Sequence, residues 1–187
     1  MEQQNCYFGK DNRSLTVTRT QLPNYDTHLW VLADRSIGHA LASLGVFYAY
    51  GHDTDAEHLL AFFEHFLTAR QLNDDAHAWQ EDLRRGLINS VVERLILSKL
   101  NILPIQEMAP PELHQRLSVH LWKCEMVGLF ENIQSELQAA RQELEFCSLI
   151  YPEFLIDLLK PIEQATSRAF EGRNRVLTFI NIFSKVK

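Results

Sequence analysis

Glycine and proline are scarce in this chain: seven and six residues among 187. So few helix breakers and turn formers leave room for long elements and exclude collagen-like or low-complexity architectures. No two glycines lie within five positions of each other, which removes the Gly-rich phosphate loop and the dinucleotide fingerprint together. A GxSxG elbow and a Walker lysine are also absent, so the common nucleophile and nucleotide machinery is missing. The three cysteines, Cys6, Cys124 and Cys147, are odd in number and far apart, with no CxxC. That pattern indicates neither a disulfide framework nor a zinc site. The opening MEQQNCYFGKDNRS lacks a basic and then an apolar stretch, so no signal peptide is expected. The most apolar run, residues 29–50, carries Asp34, Arg35 and His39 near its middle and reads as a buried core helix. The expected compartment is cytoplasmic.

Hydrophobic residues make up 46% of the chain and charged residues 22%, the balance of a folded protein. Eleven Phe, three Trp and many Leu supply a core that needs no metal or disulfide. Carboxylates outnumber bases, for a net charge of −6, and repulsion from phosphate argues against nucleic acid as a partner. The charge is segregated. Between Asp53 and Asp82 stand Asp53, Asp55, Glu57, Glu64, Asp74, Asp75, Glu81 and Asp82 against the single base Arg70. The C-terminal twenty residues reverse this, with Arg168, Arg173, Arg175, Lys185 and Lys187 against Glu171.

Periodicity predicts an all-α protein, a bundle of about five to seven helices with a short β-like N-terminal arm over 1–24 and one domain over 25–187. In the arm, 5–8 and 14–18 read as strands around a turn at 9–12. Asp26 or Thr27 caps a first helix to about Tyr50, closed by Gly51. A second helix runs from Asp53 or Thr54 to about Arg70, Asn73-Asp74-Asp75 punctuates, and a third continues to about Leu100. The apolar, proline-bearing stretch 101–111 is the candidate hinge. Pro110 opens a long helix, bent near Gly128 and ended by Tyr151-Pro152. A further helix, kinked at Pro161, precedes a break at Gly172 and a final amphipathic segment.

The most regular pattern lies on the long helix. Met126, Phe130, Ile133, Leu137, Ala140, Leu144 and Cys147 alternate steps of four and three, the spacing of a narrow apolar seam. Three heptads with small members are too short for a self-sufficient coiled coil, so the seam predicts packing inside the bundle.

Three constellations bear on chemistry. Asp55, His58 and His65 share a helical face at spacings of three and seven, a ligand pattern for Zn or Fe. His52-Asp53 resembles the His-Asp pair of the all-helical metal phosphohydrolases, although Gly51 and Thr54-Asp55 place it at a helix end. Arg70 and His77, with six residues between them, resemble the Arg-to-His spacing of the helical HEPN ribonucleases. That resemblance implies His77 as base on a ribose hydroxyl and Arg70 on the phosphate.

The reading that absorbs most of these features is a non-catalytic interaction protein, a small acidic adaptor, chaperone or assembly subunit without a cofactor. Its partner would be another protein presenting an amphipathic or basic segment, with a homo-oligomeric structural protein as a third reading. The candidate docking residues are Asp53, Asp55, Glu57 and Glu64, with Phe179 and Phe183 on the C-terminal stripe. The competing reading is an enzyme, either a HEPN-like ribonuclease on Arg70 and His77 or a metal-dependent hydrolase on Asp55, His58 and His65.

Overall fold

A computed structural model describes residues 9–11, 14–16, 22–99, 110–148 and 151–184, with side chains over 22–98, 114–148 and 151–178. The chain is an all-α helical bundle. Its helices are α1 (Val31–Asp34), α2 (Leu41–Ala49), α3 (Asp53–Arg85), α4 (Ser90–Lys99), α5 (Pro110–His120), α6 (Met126–Glu145) and α7 (Glu153–Ser184). A π-helical turn, Leu121–Glu125, lies between α5 and α6. Among the described residues, no helix is long and apolar enough to cross a membrane. In the arm, Gly9–Asp11 pairs antiparallel with Ser14–Thr16, so the ladder takes the residues expected to form the turn. Of the expected hinge, 101–111, residues 101–109 lie outside the described residues, and Pro110 and Pro111 begin α5.

The helix α3 is longer than its sequence suggests, 33 residues without a break at Asn73-Asp74-Asp75. Asp53 and Asp55 in its first turn and Arg84 and Arg85 in its last complement the helix dipole. Its stop is Gly86, at φ 77°. The Gly86 N–H donates to Leu83 O and the Leu87 N–H to Asp82 O, a Schellman closure that needs the left-handed region. Gly51, at φ 75°, closes α2 in the same way, as its sequence position predicts.

By contacts the chain divides into two compact units, Met1–His28 with Asp74–Met126, and Leu29–Asn73 with Val127–Lys187. In the first unit, Trp79, Leu83, Val91, Val92, Leu95, Ile96, Leu117 and Leu121 form the core. A buried polar cluster explains why Asp75 ends no helix. Its carboxylate accepts from the Ser90 N–H at 2.9 Å and the Ser90 hydroxyl at 2.6 Å. Asn89 donates to Asp82 and caps α4 by accepting from the Val92 N–H. The residue read as punctuation for α3 therefore anchors the start of α4. One turn on, buried Glu93 accepts from the Tyr25 N–H at 2.6 Å and the Asn24 N–H, and Arg94 pairs with Asp26. Burial raises the Glu93 carboxyl above the ordinary range, the two N–H donors pull it down, and Asp26 adds to the rise.

In the second unit the seam is buried as expected from Phe130 through Leu144, while Cys147 lies past the end of α6 and is half-buried. The irregularity expected near Gly128 sits instead at Leu121–Glu125. A π turn adds one residue, and the buried positions register it: Leu117 to Leu121 is four, Leu121 to Met126 five, Met126 to Phe130 four.

Two further expectations are corrected. The first helix is broken into α1, a 3-10 turn at Ile37–His39, and α2. With apolar residues on most sides, no single stripe selects one continuous register, and packing buries Leu32, Ala33, Ala40 and Leu44. Gly172, by contrast, separates nothing: α7 runs through it for 32 residues. Pro161 also lies within α7, on its exposed side, where the missing backbone bond faces solvent.

Candidate functional site

The polar cross-links of α6 go to α3 and α7. His58 Nδ1 meets Glu143 at 2.7 Å, and His65 Nδ1 meets Glu136 at 2.7 Å. Both histidines and both glutamates are seven apart, so α3 and α6 run antiparallel and carry a two-rung ladder. The Glu136 hydrogen bond raises the His65 pKa, burial opposes the rise, and the charges of Glu136, Glu143 and Glu64 add to it. On the opposite flank, Arg141 of α6 pairs with Glu163 of α7, and Phe130 meets Phe170 edge-on at 5.5 Å.

Beyond the outer rung the turn α2–α3 and the connection α6–α7 come together. Asp55 accepts from the Ser148 N–H at 2.8 Å, and its own carbonyl faces the Cys147 thiol. Phe146 stacks on His58 at 5.3 Å, and Phe47 meets His52 edge-on. Four aromatic side chains on these connections and at the start of α7 remain largely in solvent: Tyr50 at 79%, Phe146 at 64%, Tyr151 at 80% and Phe154 at 72% exposure. A single exposed aromatic is ordinary; contiguous apolar exposure is what marks an interaction surface.

The electrostatics of this end are one-sided. Residues 41–60 and 143–160 contribute Asp53, Asp55, Glu57, Glu143, Glu145, Glu153 and Asp157 against one permanent cation, Lys160. That lysine is held by Asp157 at 2.5 Å. Asp53, Glu57, Glu145 and Glu153 are exposed.

The sequence-nominated residues are distributed as follows. Asp53 and Glu57 lie at the aromatic end, and Glu64 is exposed two turns further along α3. Asp55 is half-buried and committed to Ser148 and His52. Phe179 and Phe183 fall on α7 beyond the described side chains. Arg70 and His77 are both exposed on α3. Asp55, His58 and His65 do not converge: each faces a different partner. Among the described residues, no group of three His, Cys, Asp or Glu side chains could hold a metal ion. Cys147 is a poor nucleophile, since burial first, then Asp55 and Glu143, push its thiol up to about 11.

Sequence reasoning missed Glu136 and Glu143. The signal was present, because they repeat the seven-residue spacing of His58 and His65 beside the seam. The exposed aromatics were missed because Tyr50, Phe146, Tyr151 and Phe154 form no motif, and which aromatics stay in solvent is decided by the fold.

No protein-family model matches this chain, and neither a curated protein nor a solved structure matches it significantly.

Proposed function

We propose that this chain is a protein-binding module whose second unit docks a basic, amphipathic segment of a partner on its acidic aromatic end. The observation that carries the reading is the exposure of Tyr50, Phe146, Tyr151 and Phe154 on the connections at this end, beside exposed Asp53, Glu57, Glu145 and Glu153 along the chain. Aromatic side chains bury about 150–250 Å² each and dominate interface energetics, which suits these four to a partner's apolar stripe. The surrounding carboxylates steer a cationic segment toward it and reject an acidic one. The ladder joins α3 and α6, which carry Asp53, Glu57 and Glu145, so little reorganisation of these carboxylates accompanies docking.

Fluorescence anisotropy with two labelled helical peptides tests this. The peptides share one apolar stripe and differ in carrying Lys and Arg or Glu on the polar face. The basic peptide is expected to bind, with roughly tenfold loss when Tyr151→Ala and Phe154→Ala are combined, and a similar loss at high salt. Equal binding of both peptides, or binding indifferent to the aromatic pair, would refute the proposal.

A further inference from the structure

The same unit that carries the acidic aromatic end also carries a segment of the complementary kind. Over residues 167–178 no side chain is buried, and the helix continues to Ser184. Residues 167–184 extend roughly 27 Å at the α-helical rise. Phe170 leans on Phe130, but Val176 is exposed and Leu177 only half-covered. Arg168 and Arg175, exposed and seven apart, line one side of this stretch, with Arg173 between them. From Arg168 onward the chain holds five bases and one acid, Glu171. Helix α7 therefore begins with Glu153 at the acidic aromatic end and finishes basic and amphipathic.

We propose that the occupant of the acidic aromatic end is the C-terminal half of α7 from a second copy of this chain. This rests on the docking reading above and names its partner. A chain that displays both halves of a charge-complementary contact on one unit can give and receive the contact at once. Two-fold pairing then forms the contact twice and closes, the commonest symmetry of soluble oligomers. The net charge of −6 opposes indiscriminate association, so pairing depends on bringing the basic stretch onto the carboxylates.

The test is sedimentation velocity of the full chain over about 1–200 µM at low and at high salt, with two charge-reversed variants. One variant combines Glu57→Lys with Glu145→Lys, and the other combines Arg168→Glu with Arg175→Glu. The parent chain is expected to dimerise, at least tenfold more weakly at high salt. Each variant alone is expected to remain monomeric with a native circular dichroism spectrum. An equimolar mixture of the two regains the dimer, because each contact again joins opposite charges. Loss of folding cannot imitate that restoration. A parent chain that stays monomeric throughout overturns the proposal, as do variants that dimerise like the parent or a mixture that fails to associate. If the parent is monomeric while the basic peptide still binds, the docking reading stands and the second copy is excluded. If neither occurs, both fall.

Discussion

Replacing Asp75 by alanine is expected to destabilise the protein by about 2–4 kcal/mol, because it strands groups on a different helix. The carboxylate is buried and accepts both the Ser90 N–H, at 2.9 Å, and the Ser90 hydroxyl, at 2.6 Å. With the carboxylate gone, the backbone N–H has lost its acceptor at a helix start, at a cost of about 1–3 kcal/mol. The hydroxyl can turn to another acceptor, but it loses a charge-assisted bond, about 1 kcal/mol more. Asn89 still caps Val92, so α4 survives and the transition stays cooperative. Urea denaturation followed by circular dichroism reads the change, which is a large share of the roughly 5–15 kcal/mol that holds a typical domain together. Asp75→Asn keeps one acceptor and is expected to cost about half as much. Exposed Asp74→Ala should cost under about 1 kcal/mol. Asp75→Ala combined with Ser90→Ala should fall short of additivity by about 0.5 kcal/mol or more, since the two share a bond. If Asp75→Ala lies within about 0.5 kcal/mol of the parent, or the double variant is additive, the anchoring role is wrong.

The His65–Glu136 rung makes stability depend on pH in a definite direction. Because the folded pKa is raised above 6.5, the contribution is complete below the unfolded value and is lost as pH rises through the folded one. The parent's advantage over Glu136→Gln, about 1 kcal/mol or less, should therefore be larger at pH 6 than at pH 9 in thermal melts; a constant difference would contradict it. In the seam, Leu137→Ala should cost about 2–5 kcal/mol by denaturant titration, while Phe154→Ala at the exposed end stays within about 0.5. Comparable losses would mean that the seam is not the core. With Cys6 and Cys124 replaced by serine, Cys147 should react with iodoacetamide far more slowly at pH 8 than an unperturbed thiol, its pKa lying near 11. A rate like that of a free cysteine peptide would show the thiol to be neither buried nor shielded.

How much of this was legible depends on whether the determining contact is local. Gly51 and the seam could be read because their causes are backbone geometry and helical periodicity, both written in consecutive residues. The break at Asn73-Asp74-Asp75 was misread because turn-forming residues have a second use. A buried aspartate can anchor the start of another helix fifteen positions away, and no local pattern separates the two roles. Gly86 gave the true stop, but it competed with a stronger-looking signal thirteen positions earlier. The break within 29–49 went unseen because a segment apolar on most sides leaves the buried face to its neighbours. In the candidate site, the spacing of His58 and His65 was visible as a shared face. That each would meet a glutamate on α6, rather than join Asp55 around a metal, follows from the antiparallel pairing of two helices.

The sequence by itself determined the all-α class, the seam that α6 buries, and the separation of acidic from basic stretches. These follow from residue type and spacing along one chain direction. Only the tertiary structure decided that Asp75 is an anchor and that His58 and His65 meet Glu143 and Glu136 on α6. Each of those depends on which distant residue arrives alongside, and spacing along the chain does not encode that arrival.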